Sequence, residues 1–139
     1  MNKEFIEVSE YTEEGYKPLV DYKSWRVAVL NYIDELLPSQ ITSMQKHDET
    51  DEIFVLLSGK CILFSGGNST EIGEIDAIDM EPLKIYNVKR STWHTHTLSE
   101  ETSVLIVENS DTGDDNSPTI PMNDEQKMKI MQLVKNLWK

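Results

Sequence analysis

Met44-Gln45-Lys46-His47-Asp48-Glu49-Thr50-Asp51-Glu52-Ile53-Phe54-Val55-Leu56-Leu57-Ser58-Gly59 is the stretch around which the chain is organised. Its first part is polar and keeps Gln45, His47 and Glu52 close in sequence; its second part is a dense run of strand formers. Alternate side chains of a strand share a face, so Gln45 and His47 point the same way. Residues 48–51 are rich in turn formers, and Glu52 opens the returning strand. A tight reversal there brings Glu52 back beside His47. A β protein can assemble imidazole and carboxylate ligands in this way without a helix.

Strand patterns continue on both sides. Residues 23–33 carry Trp25, Val27 and Val29 on one parity and Ala28, Leu30 and Tyr32 on the other, as in a strand with apolar character on both faces. Phe5, Ile6 and Val8 suggest a short edge strand and 12–16 a loop; 34–38 reads as one short helical turn or a loop stopped by Pro38, the loop preferred because strands lie on either side. From Ile41 the chain becomes a series of short strands separated by turn signals. They are expected at 41–47, 53–57, 61–65, 71–78, 83–88, 93–98 and 104–108, with Gly66-Gly67-Asn68-Ser69 as the strongest turn. This spacing, with no helical period inside it, predicts an all-β antiparallel sandwich or barrel.

The C-terminal part differs. Residues 1–110 read as the β domain, 111–122 as an acidic, flexible linker, and 123–139 as a helix. Asn123 suits an N-cap, acids follow it, and Gln126 stands where a capping-box partner belongs. Met128, Met131, Val134, Leu137 and Trp138 form an apolar stripe, expected to dock on the domain or on a second subunit.

Composition narrows the partners. The 139 residues suffice for one domain with a core, and the formal net charge of −12 argues against nucleic-acid backbones and anionic membranes. No long apolar span is present, and residues 1–10 lack the layout of a signal peptide, so the expected location is the cytoplasm. The single cysteine, Cys61, excludes a disulfide framework and reads as a small buried hydrophobe.

His47, four intervening residues, Glu52, six more and Gly59 match the second half of the first cupin motif, G-x5-H-x-H-x3-4-E-x6-G. In the second motif, G-x5-P-x-G-x2-H-x3-N, the histidine corresponds to His94. The sequence thus resembles a single-domain cupin of the sugar-epimerase-like (RmlC-like) jelly-roll class. There are departures: Gln45 replaces the first histidine of the pair, and Lys89 and Ser91 stand where the second motif has proline and glycine. The resemblance implies His47, Glu52 and His94 as metal ligands, with Gln45 as a weak fourth.

His96 shares a strand face with His94, so it and Glu52 are the candidates for moving a proton. Phe54, Leu56, Tyr86 and Trp93 are expected to line a substrate pocket. Two imidazoles and one carboxylate suit divalent iron, manganese, nickel or zinc and leave positions open for substrate. The alternative for the same residues is a hydrogen-bonded polar cluster in a metal-free pocket. Two functional classes follow: an enzyme on a small polar molecule such as a sugar or carboxylate, and a non-catalytic module binding one. Ile53, Val55 and Leu57 form a second apolar face on the strand that carries Phe54 and Leu56, which predicts a homodimer.

Overall fold

The computed structural model describes residues 5–139; the first four residues of the expected β domain lie outside them. Two five-stranded antiparallel sheets face one another. The first contains β1 (Gly15–Tyr22), β2 (Trp25–Asn31), β9 (Ser103–Asn109), β4 (Glu52–Ser58) and β7 (Tyr86–Val88), in that order. The second contains β10 (Thr119–Pro121), β3 (Ser43–Gln45), β8 (His94–Leu98), β5 (Cys61–Ser65) and β6 (Asp76–Asp79). Helix α1 (Asp124–Leu137) follows the last strand. Sequence neighbours mostly fall in opposite sheets, as in a jelly roll; the strand spacing predicts a sandwich or barrel, and the cupin resemblance implies the jelly roll.

Alternation decides which side chains enter the sandwich. Phe54 and Leu56 on β4, Val104 and Ile106 on β9, and Ala28 and Leu30 on β2 meet Cys61 and Leu63 on β5 and Leu98 on β8 to form the inner core. The second sheet is apolar on both faces. Ile62 and Phe64 join Met44, Trp93 and Ile75 in an outer cluster closed by Ile130 of α1. The capping box forms as expected, Asn123 accepting from the Gln126 backbone N–H while the Gln126 side chain accepts from the Asn123 N–H. The helix therefore covers the second sheet and not the face of Ile53, Val55 and Leu57 on the first. Leu57, Trp25 and Tyr22 stay exposed there.

Three expectations are corrected. Residues 5–8 form no strand, and Phe5, Ile6 and Val8 are exposed. The edge strand is instead β1, which pairs along β2 but has open faces, so it needs no apolar period. Residues 34–36 and 38–40 are short 3-10 turns, with the Leu36 carbonyl held by the Thr97 hydroxyl at 2.6 Å. The supposed linker 111–122 contains β10 and the buried Ser117. It is held by polar bonds: Lys46 N–H to Pro118 O at 3.1 Å, Asp48 N–H to Asn116 O at 3.0 Å, and Arg26 to the carbonyls of Ser110 and Thr112. Apolar content alone underestimates such a segment.

Candidate metal centre

At one end of the sandwich the two sheets contribute facing polar side chains. Glu52 opens β4, His94 opens β8, and His47 lies two residues beyond β3. The turn between His47 and Glu52 is pinned by its own acids. Asp51 accepts from the Arg90 backbone N–H at 2.8 Å and from the Asn87 amide at 3.1 Å, and Asp48 accepts from the Ser91 hydroxyl at 3.0 Å. The hydrogen bond with Asn87, then that with Arg90, holds the Asp51 carboxyl below the usual carboxylate range. Ser91 adopts φ 64° where the cupin motif has glycine, and its backbone N–H donates to the His47 carbonyl at 2.8 Å. The acidic turn thus locks the two motif regions together.

The three candidate ligands converge. His47 Nε2 is 3.1 Å and His94 Nε2 is 3.0 Å from the same oxygen, Glu52 Oε1. All three side chains are buried. His94 Nδ1 lies 2.9 Å from the Thr92 carbonyl and can only donate to it. His47 Nδ1 lies 2.7 Å from Ser117 Oγ, and that hydroxyl donates onward to Asn116 Oδ1 at 3.1 Å, so it accepts from His47. In both neutral rings the proton is therefore on Nδ1, and both Nε2 lone pairs face a carboxylate oxygen. Three lone pairs converging without a hydrogen between them repel unless a cation, a proton or a metal ion, is shared.

The titration behaviour follows this geometry. Burial alone would raise the Glu52 carboxyl, but hydrogen bonds and charge from His47 and His94 outweigh it and hold Glu52 far below the ordinary range. Burial alone would lower His47; its hydrogen bond and charge interaction with Glu52 raise it instead. A metal also fits. The three donor atoms lie within 4.8 Å of one another. A tetrahedral ion with bonds of roughly 2 Å needs its donors about 3.3 Å apart. Gln45 pairs directly with His94 across β3 and β8, which places it on the adjacent strand position.

His96 follows on the inner face of β8, its ring 5.6 Å from that of Phe54. Its Nδ1 is enclosed and has no hydrogen-bond partner among the described residues, and burial lowers its pKa to about 4. A cavity of about 430 Å³ opens beside His94, lined by Leu63, Tyr86, Val88, Lys89 and Thr92 among others. Of the four expected pocket residues, Tyr86 lines this cavity and Phe54 packs edge-on to His94 at 6.5 Å. Leu56 is inner core, and Trp93 belongs to the outer cluster beneath α1, its indole N–H donating to Ser69 O at 2.9 Å. A larger groove, of about 820 Å³, runs between α1 and residues 73–75, where no ligating cluster occurs among the described residues.

Sequence reading missed a second polar cluster on the same inner face. Glu108 is buried on β9 opposite Arg26, and its carboxyl bonds both Arg26 and Tyr16. Burial, then the charge of the neighbouring Glu52 carboxyl, raise its pKa above the usual carboxylate value. The signal was present: Glu108 continues the inward parity of Val104 and Ile106, where a charge needs a partner.

No family model matches this sequence, and no curated protein is similar to it. Solved structures do resemble the fold. A cupin-2 domain protein from Shewanella frigidimarina aligns over 71% of this chain and 84% of its own, at 13% identity and TM-score 0.50. A variant of PAC13 from Streptomyces, determined with uridine, aligns over 84% and 88%, at 11% identity and TM-score 0.55. A double mutant of the QdtA 3,4-ketoisomerase from Thermoanaerobacterium thermosaccharolyticum, in complex with TDP, aligns over 82% and 75%, at 15% identity and TM-score 0.54. With its two five-stranded sheets and these structural neighbours, the chain folds as a cupin jelly roll.

Proposed function

We propose that this cupin binds a divalent metal through His47, Glu52 and His94 and uses it to hold a small polar molecule, a sugar or a carboxylate, for chemistry in the adjoining cavity. The observation that supports this most strongly is the pair of Nδ1 hydrogen bonds, to Thr92 O and Ser117 Oγ, which turn both Nε2 lone pairs onto Glu52 Oε1. Metal-bound histidines are oriented in this manner. Gln45 is assigned as a weak fourth ligand. When bound, the metal supplies Lewis-acid polarisation of a substrate oxygen. The chain's own contributions are separate from it. Tyr86 and Thr92 line the approach, and Phe54 backs His94 with an apolar wall. His96, neutral and with an unpartnered Nδ1, offers a hydrogen bond inside the barrel and is the better proton carrier. Glu52, held ionised by two imidazoles, is a ligand first and a base second.

The ligands of two structural neighbours, uridine and TDP, are small and polar and agree with this class. The same pocket without turnover, a sensing module, is the second reading. The protein is further assigned as a homodimer working in the cytoplasm, with neither nucleic acid nor membrane as partner. The net charge of −12 argues against nucleic acid and anionic membrane surfaces as partners, and no described helix is long and apolar enough to cross a membrane. The metal assignment is tested by calorimetric titration of zinc or manganese into wild type and H47A. Saturable binding that weakens at least a hundredfold in H47A supports it; equal binding in the two proteins removes it.

A further inference from the structure

The cavity beside His94 has a charge pattern opposite to that of the whole chain. The chain carries 25 acidic and 13 basic residues, yet no carboxylate lines this cavity among the described residues, and Lys89 is the one fixed charge on its wall. The larger groove between α1 and residues 73–75, by contrast, mixes Glu74 and Glu125 with Lys129. Lys89 forms no ion pair among the described residues, whereas Arg26 pairs with Glu108 at 3.0 Å and Lys84 with Glu81 at 2.6 Å. The carboxylate behind the cavity, Glu52, is enclosed by His47 and His94. A divalent ion held by that carboxylate and two neutral imidazoles leaves one net positive charge, and Lys89 adds a second.

The position of Lys89 is fixed by the turn between β7 and β8. The Thr92 N–H donates to the Lys89 carbonyl at 3.2 Å, and Ser91 takes the positive φ of 64° that such a turn needs at its third residue. Three further bonds pin the turn: Arg90 N–H to Asp51, the Ser91 hydroxyl to Asp48, and Ser91 N–H to the His47 carbonyl. The backbone of Lys89 is thus held against the metal-ligand turn, while its exposed side chain stays free at the cavity mouth. The Ser65 and Thr92 hydroxyls also line the cavity, between the apolar walls of Leu63, Tyr86 and Val88.

We propose that the cavity selects an anionic ligand, a small hydroxycarboxylate, and that Lys89 is the specificity-determining residue that pairs with its carboxylate. This rests on the reading of the cavity as the binding site and narrows its ligand from sugar or carboxylate to carboxylate. One lysine matches the single charge of a carboxylate. A phosphate is better served by several converging donors or a guanidinium fork, and no arginine lines this wall. Ser65 and Thr92 suit the ligand's hydroxyls.

The probes are glucuronate, glucose and glucose 6-phosphate, which differ only at one carbon, together with glycolate. Binding is measured calorimetrically to the zinc-loaded and the metal-free protein, in wild type, K89Q, K89R and K84Q. Glucuronate or glycolate should bind wild type more tightly than glucose does. Because Lys89 is exposed, K89Q should weaken carboxylate binding by about 3–10-fold, with K89R closer to wild type. Added salt should weaken carboxylate binding in wild type and much less in K89Q. Zinc affinity should be the same in K89Q and wild type, which separates this result from the metal assignment. K84Q, which removes a lysine paired with Glu81, should bind the carboxylates as wild type does. Equal carboxylate binding in K89Q and wild type would overturn the proposal, as would K84Q losing as much as K89Q. Binding of neither carboxylate, or glucose binding as tightly as glucuronate, would also overturn it. Tighter, Lys89-dependent binding of glucose 6-phosphate would replace the carboxylate with a phosphate. If wild type takes up no zinc, the metal reading fails by itself, and carboxylate binding to the metal-free protein still decides the role of Lys89.

Discussion

His94 Nδ1 stands 2.9 Å from the carbonyl oxygen of Thr92, two residues back in the chain, and this local contact fixes which ring nitrogen faces Glu52. The same is achieved for His47 by a residue seventy positions away, Ser117. Both rings are thereby presented as Nε2 ligands before any cation arrives.

Metal binding should therefore displace a proton. His47 titrates above the ordinary histidine range because its bond to Glu52 outweighs its burial. Below that raised pKa a proton occupies the place a metal would take, so affinity should fall about tenfold per pH unit. Titration at pH 6 in two buffers of different ionisation enthalpy counts the protons released. About one per metal is expected, and none would mean that His47 is not a ligand.

The pH dependence of stability in the metal-free protein has two opposing parts. A folded-state pKa raised for His47 gives stability that is full below about 6.5 and is lost as pH rises through the folded value. His96 has the opposite sign. Its folded pKa of about 4 lies below the unfolded value, so its contribution is full above about 6.5 and is lost as pH falls toward 4. H96F should remove that acid-side loss, worth on the order of 1–3 kcal/mol, and flatten the profile between pH 6.5 and 4. Denaturant midpoints at pH 4.5 and 7 provide the comparison, and an unchanged difference between wild type and H96F would count against a buried neutral imidazole.

Gly59 is held by geometry. It adopts φ 80°, and a Cβ added there would lie 2.6 Å from the Thr102 Cα, a backbone atom that cannot swing aside. G59A should cost about 2–4 kcal/mol through strain and clash together. Thermal denaturation checks this, and a drop of less than a degree would contradict it.

Much of the architecture was legible in the sequence because short apolar alternations report burial directly. Residues 61–65 were marked as a strand by Ile62, Leu63 and Phe64, and Gly59 by the motif spacing. His47 and Glu52 were visible for the same reason, since a turn of four residues brings them together. The partners that complete the site were not. Ser117 sits in a stretch with little apolar content, whose order comes from backbone hydrogen bonds that composition does not reveal. Glu108, Arg26 and Tyr16 come from three strands, and their meeting depends on register, which one-strand periodicity cannot supply. Trp93 was placed with the pocket on aromatic character alone, whereas its parity carries it under α1.

The outer face of the first sheet carries the expectation of a dimer. Trp25 is 42% exposed and Leu57 is 53% exposed, with Val27, Val29, Leu105, Val107, Ile53 and Val55 half-buried around them. Because α1 lies on the other sheet, this face needs a different cover. Sedimentation equilibrium should give the mass of two 16.0 kDa chains, and W25D should return it to one. A single-chain mass for wild type in concentrated solution would contradict the dimer.

The most direct test of the central claim is anomalous diffraction from crystals of protein purified without chelator and supplied with manganese or zinc. The account predicts one strong anomalous peak roughly 2 Å from His47 Nε2, His94 Nε2 and Glu52 Oε1 together. No peak between these three atoms, with the His47–Glu52 hydrogen bond intact in the presence of excess metal, would contradict it.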